Sequence, residues 1–165
     1  EGKDYRLLGE AADSVLLMTY EWGYTYGPPM AVAPVNKVRE VVEYAVTRID
    51  PAKIDLGIPN YGYDWTLPFV QGSSRATTVS NQAAVQIAIE AGVPIQFDEV
   101  AKSPFFKYEK NGQLHEVWFE DVRSYKEKFA LLPEFGLRGM GYWQIMRFFR
   151  PNWLLLEDTF LIQKT

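Results

Sequence analysis

Three short apolar segments, each running into aromatic and polar residues, constrain this chain more than any other feature. Ser14 to Tyr20 leads into Glu21-Trp22. Ile54 to Pro59 leads into Asn60-Tyr61-Gly62-Tyr63. The third segment is Gly139-Met140-Gly141-Tyr142-Trp143-Gln144. Short continuous apolar runs suit parallel strands covered on both faces. Their C-terminal ends then open together onto a site, and the aromatic and acidic residues there suit a sugar-binding floor.

The stretches between the runs support that order. After a Gly- and Pro-rich loop from Gly23 to Pro34, Val35, Val38, Val41, Val42, Ala45 and Ile49 recur at helical spacing. Asp50-Pro51 ends that helix. Strand, helix and strand with a short return make a parallel crossover unit. Near Thr66 the rhythm breaks into a polar loop with Ser73, Ser74, Thr77 and Thr78. Ser80 is placed to cap a helix running to Gly92, with Val85 and Ile89 on one face. Pro94 to Val100 reads as a short strand. Phe105 to Glu109 and Leu114 to Phe119 flank Asn111-Gly112, a type I′ hairpin signal. That register sets Lys107 opposite Glu116 and Tyr108 opposite His115, with His115 on the hairpin surface.

The parallel rhythm then resumes. Val122, Tyr125, Phe129 and Leu132 form a helical stripe ending at Gly136, and Trp153 to Ile162 reads as a last helix after Pro151. Asp121 and Asn152 are the expected N-caps of these two helices. The chain therefore divides into barrel-type units over 1–65, a small α+β insertion over 66–119, and a further unit over 120–165. Removing roughly 55 residues restores ordinary crossover spacing. Three parallel strands do not close a barrel, which takes eight. A doubly wound sheet is the other α/β option, but no Gly-rich phosphate loop is present.

Composition narrows the function classes. The chain has 165 residues, 47% hydrophobic, with five Trp, ten Tyr and ten Phe, more aromatics than a small core needs. A net charge of −4 without a Lys/Arg block argues against nucleic acid. No apolar run reaches the about 18 residues of a membrane helix, and the first residues do not resemble a signal peptide. With no Cys and the single His115, neither thiolate chemistry nor a zinc site is expected. No other metal or cofactor is expected. The start at Glu1-Gly2-Lys3 suggests a processed or excised piece.

Met18-Thr19-Tyr20-Glu21, then Gly57-Ile58-Pro59-Asn60-Tyr61-Gly62-Tyr63-Asp64-Trp65, then Gly139-Met140-Gly141-Tyr142-Trp143 occur in this order. They resemble the sixth, seventh and eighth strands of the glycoside hydrolase family 18 barrel, the chitinase-like family. Three further runs narrow the resemblance: Phe97 to Ala101, Ser103 to Tyr108, and His115 to Asp121. They are similar to the branch of bacterial spore-germination and cortex-lytic enzymes that cleave peptidoglycan glycan strands. The resemblance covers nearly the whole chain. It implies an α/β fold, the C-terminal part (strands six to eight) of a TIM barrel with a small α+β insertion. It also implies an extracellular setting at the cell wall or spore coat and cortex.

The family's acid is a Glu ending an Asp-x-x-Asp-x-Asp-x-Glu run on the fourth strand. No such run exists here, so this chain alone is expected not to hydrolyse glycan. The resemblance implies substrate-assisted retention, in which the sugar's N-acetyl oxygen attacks its own anomeric carbon. By motif match, Tyr20 would hydrogen-bond the N-acetyl carbonyl, and Glu21, where the family usually has Asp, would bind sugar hydroxyls or the acetamido group. Trp143 would form the subsite floor, its indole face against the C–H face of the sugar. Trp22, Asn60, Tyr61 and Gln144 would line the same groove.

The plainer readings stay beside these. Tyr20 and Trp143 also fit core packing, and Glu21 fits a solvated loop. Trp65 and Trp118 read as packing between barrel and insertion, and Phe148, Phe149 and Trp153 as helix packing. The leading functional reading is part of a hydrolase of N-acetylglucosamine-containing peptidoglycan or chitin. The alternatives are a non-catalytic, lectin-like glycan-binding module and an unrelated open α/β protein. An incomplete barrel would also expose Leu16, Met18 and an unpaired strand edge, inviting self-association.

Overall fold

A computed structural model describes residues 3–162. Helix α1 (Tyr5–Ala11) starts at Asp4, whose carboxylate accepts from the Leu7 amide at 3.1 Å. Lys53 closes its far end by donating to the Gly9 and Ala12 carbonyls at 2.8 and 3.0 Å. The sequence reading missed this short helix, which has too few turns for a periodic stripe.

The three apolar runs form β1 (Val15–Leu17), β2 (Ile54–Pro59) and β8 (Gly139–Trp143), a parallel sheet in the order β1-β2-β8. Leu17 aligns with Leu56 and Leu56 with Met140, so the runs are in step. Helix α2 (Val35–Val46) packs on α4 (Val122–Phe135), and α4 on α5 (Arg150–Thr159). Their apolar stripes meet one face of the sheet around Leu17, Val38, Val42, Leu56, Ile58, Phe129 and Leu132. The other face is largely bare: Leu16 is 48% exposed and Met18 67%. This arrangement, with helices on one side and open strand edges on both flanks, is a partial (β/α) barrel.

The remaining strands make a second sheet. They are β3 (Gly62–Thr66), β4 (Thr77–Val79), β5 (Gln96–Asp98), β6 (Ser103–Lys110) and β7 (Gln113–Trp118), antiparallel in the order β4-β3-β7-β6-β5. Gly62 to Trp65, grouped by the sequence with the barrel units, hydrogen-bond in this second sheet. The reason is steric as well as topological. A Cβ on Gly62 would lie 2.3 Å from the Trp118 carbonyl, so β3 is pressed directly onto β7. Asn111 and Gly112 turn the β6–β7 hairpin at φ 53° and 74°, and Lys107 faces Glu116 and Tyr108 faces His115 as the register predicts. Helix α3 (Asn81–Ala91) runs from its Ser80 cap to Gly92, which takes the left-handed conformation that closes the helix.

Several side chains differ from their expected places. The buried face of α3 is Asn81, Ala84 and Ala88, whereas Ile89 is 67% exposed. Small residues let α3 lie close on β6, and the aromatic bulk comes from Phe106, Tyr108 and Phe119. His115 is not a free surface residue. Its Nδ1 lies 2.9 Å from Asp64 Oδ1, while Tyr108 donates to the other Asp64 oxygen at 2.7 Å. Asn152 does not cap α5. It lies inside the helix, fully buried, and accepts from the Tyr142 hydroxyl at 3.1 Å. Phe149 is buried in the barrel-side core, while Phe148 stays exposed and stacks on Trp153.

The two sheets meet through a third apolar cluster. Ala31 and Val32, from the loop after β1, pack against Tyr61, Tyr63, Trp65, Ala76 and Trp118. Trp65 Nε1 donates to the Gly27 carbonyl at 2.8 Å, which ties the loop to the second sheet. At the exit of that sheet, Lys128 and Glu120 form a fully buried ion pair at 2.9 Å. Burial pushes the Glu120 carboxyl up, against the pull of Lys128.

Candidate functional site

The C-terminal ends of the parallel strands converge on a cavity of about 370 Å³ lined by Tyr20, Glu21, Tyr61, Tyr63, Thr78, Trp143, Gln144 and Arg147. Tyr20 arrives just past β1, where Thr19 is pinned by its hydroxyl to the Gly57 carbonyl at 2.9 Å. The Tyr20 ring lies over β2 because position 57 is glycine. A Cβ there would sit 2.9 Å from the ring and 2.4 Å from the Leu17 carbonyl. Glu21 follows at φ 70°, a left-handed conformation that costs a non-glycine residue of order 1 kcal/mol.

That conformation is offset by what the Glu21 side chain reaches. Its carboxylate accepts a hydrogen bond from the Tyr61 hydroxyl and two contacts from the Tyr63 hydroxyl, at 3.0 and 3.2 Å. Tyr61 and Tyr63 are both buried and stand edge to face with ring centres 5.7 Å apart. Burial, and then the hydrogen bond and charge of Glu21, push the Tyr61 hydroxyl far above the ordinary phenol range. Burial and then the Glu21 charge raise Tyr20, and burial is the largest cause for Tyr63. All three phenols therefore stay neutral at working pH and keep a proton to donate.

Trp143, a residue 57% exposed, ends β8 beside this polar cluster. An exposed indole is a platform for an apolar face, and neutral phenols and one carboxylate at its rim supply hydrogen bonds in both directions. That combination matches a sugar ring, whose faces carry C–H bonds and whose edge carries hydroxyls and acyl oxygens. Among the described residues, Glu21 is the one carboxylate lining this cavity, and no cluster of His, Asp or Glu is placed to hold a metal ion.

Of the residues expected here from sequence, Tyr20, Glu21, Tyr61, Trp143 and Gln144 come together. Two do not line the cavity. Trp22 turns back and packs against the barrel-side core. Asn60 is fully buried beneath the cavity, its amide spent on neighbouring backbone and side chains. Three lining residues were missed. Tyr63 follows Tyr61 at the two-residue period of a strand, a signal visible once Gly62 to Thr66 is read as one. Thr78 is the β4 partner of Tyr63, which only the tertiary register reveals. Arg147 reaches the rim through the turn after β8, where its amide donates to the Gln144 carbonyl at 3.4 Å.

The sequence of residues 1–147 matches the family model described as glycosyl hydrolases family 18. The chain belongs to this family. It is 50% identical to the cortical fragment-lytic enzyme of Bacillus subtilis (strain 168), over 99% of this chain and 38% of that protein. Its structure superposes on the Bacillus cereus spore cortex-lytic enzyme SleL with a TM-score of 0.95 at 47% identity, covering 98% of this chain and 39% of the other. A chitinase from Chromobacterium violaceum gives a TM-score of 0.87 at 29% identity, over 94% and 48%. This family 18 chain thus spans less than half the length of these relatives, and the partial barrel is the corresponding part of their fold.

Proposed function

We propose that this chain carries the N-acetyl-binding side and the floor of a glycoside hydrolase site for N-acetylglucosamine-containing glycan. Spore-cortex peptidoglycan is the first candidate and chitin the second, with the protein acting outside the cell at the wall or cortex. The observation that carries the reading is the exposed indole of Trp143 on the same cavity as Tyr20 and Glu21. In substrate-assisted hydrolysis the sugar's own N-acetyl oxygen is the nucleophile, so the protein must hold that group rather than attack. Tyr20, neutral and at the rim, would donate to the N-acetyl oxygen as it closes on the anomeric carbon. Glu21, steadied by Tyr61 and Tyr63, would accept from the acetamido N–H and stabilise the positive charge that develops on the ring. The leaving-group acid would come from outside these residues.

A second reading, a non-catalytic glycan-binding module, is favoured by one observation. Among the described residues the cavity has a single carboxylate, and two phenols already occupy it. Both readings require sugar binding at Trp143. Titration with a chito-oligosaccharide, followed by Trp fluorescence, is expected to give saturable binding that Trp143→Ala abolishes. Undiminished binding by the variant would remove this cavity as the sugar site. Release of reducing ends by the longer protein that carries this segment, on cortex fragments and on chitin, separates hydrolase from lectin.

A further inference from the structure

Asn60 is the most connected buried side chain beneath the cavity, and its bonds have a direction. Its backbone amide donates to the Trp143 carbonyl at 2.7 Å. Its side-chain amide donates to the Gln144 carbonyl at 3.3 Å and the Arg147 carbonyl at 2.5 Å. One residue thus holds three carbonyls of the turn that presents Trp143, Gln144 and Arg147. The oxygen of the same side chain faces the opposite way, accepting from Asn81 Nδ2 at 3.3 Å and from the Tyr125 hydroxyl at 3.0 Å. Tyr125 is also within reach of the Pro59 carbonyl, at 3.1 Å, and accepts from Asn81 at 2.9 Å. Asn81, the first residue of α3, accepts from the Glu120 amide at 3.0 Å, where the chain leaves the second sheet.

The exit of the insertion and the start of α3 are therefore fastened, through Asn81, to the residue that fastens the turn after β8. Asn60, Asn81 and Tyr125 are all fully buried, so water does not compete for these bonds, and losing one partner leaves a buried polar group unpaired. We infer that Asn60 is a positioning residue for the floor of the cavity and that Asn81 of the insertion and Tyr125 of α4 brace it. The insertion then sets the pose of Trp143 from behind, in addition to supplying Tyr63 and Thr78 to the wall. The role of the turn in glycan binding rests on the reading proposed above; the brace itself does not.

Asn60→Asp turns the brace against the turn: it keeps the shape and the oxygen that Asn81 and Tyr125 donate to, and it replaces the N–H₂ group that holds Gln144 and Arg147 with a second oxygen, which repels those carbonyls as a carboxylate and donates to only one of them as an acid. Residue-resolved amide exchange on the full chain is expected to speed up at least about tenfold across residues 144–149, with amides of α2 unchanged. Chito-oligosaccharide affinity is expected to fall about tenfold. Exchange that is unchanged at 144–149, or that rises uniformly along the chain, would overturn the inference. So would faster exchange in that turn with unaltered affinity. Asn81→Ala decides the matter if Asn60→Asp fails to fold, with the same segment-limited pattern expected at smaller size and the same outcomes overturning it. If the unsubstituted chain binds no glycan, the sugar reading fails, and exchange alone decides the brace.

Discussion

The two sheets of this molecule solve the problem of burial in opposite ways. The antiparallel sheet of β3 to β7 has α3 on one face and the loop after β1 on the other, and its apolar side chains close around Phe106, Val117 and Trp65. The parallel sheet of β1, β2 and β8 buries one face under α2, α4 and α5 and leaves Leu16 and Met18 in the open. Both of its flanking strands have a free edge. The difference shows that a small antiparallel insertion can be complete in itself, whereas part of a barrel is complete only on the side its own helices cover. The site sits where the complete sheet and the incomplete one touch.

Substitutions at matched depth test that contrast. Phe106→Ala empties the centre of the insertion and should cost about 3–5 kcal/mol in denaturant titration. Leu56→Ala does the same under the barrel helices and should cost about 2–5 kcal/mol. If each change moves a separate unfolding step, the two sheets are independent; a single shared transition would show that the Asn81 and Trp65 ties join them.

The buried pair at the junction adds a pH dependence. The folded-state pKa of Glu120 lies above its unfolded value, so the native chain holds the proton more tightly. Its contribution is fully present below about pH 4.5 and is lost as pH rises through the folded value. Glu120→Gln should flatten that decline in a series of melts across pH. Gly112→Ala, at φ 74° in the hairpin turn with open space around it, should cost about 1–2 kcal/mol and leave the barrel side untouched. Smallest of all, Leu16→Ser should change the stability of this chain by no more than about 0.5 kcal/mol, as for a surface residue. A loss of several kcal/mol would mean that the bare face is covered in solution, by a second copy of the chain for instance. Sedimentation of the unsubstituted chain would then show self-association.

Local signals carried much of the fold. The bounds of β2, the Ser80 and Gly92 caps of α3, the Asp121 and Gly136 ends of α4 and the hairpin register all follow from residues next to each other in the chain. The misreadings have other causes. Ile89 lies exposed because α3 turns its small residues to β6, Asn152 sits inside a helix where the Tyr142 hydroxyl reaches it, and Asn60 is buried by partners far away in sequence. Asn60 shows this best. Next to Tyr61 at a strand end it reads as a groove residue, and only its bonds to residues 81, 125, 144 and 147 turn it inward. Tyr20, Glu21, Tyr61, Trp143 and Gln144 were legible because strand ends in a parallel sheet gather at one edge. Thr78 and Arg147 were not, because they reach that edge from a second sheet and from a turn.

One short connection has a consequence for how a ligand enters. β2 ends at Pro59 and β3 begins at Gly62, so only Asn60 and Tyr61 join the two sheets at the cavity. Asn60 is clamped on both sides, Tyr61 is bound to Glu21, and Gly62 is wedged against the Trp118 carbonyl. This end of the insertion has no slack with which to swing. It forms a fixed jamb rather than a lid, so this wall of the cavity keeps its shape whether or not the cavity is filled.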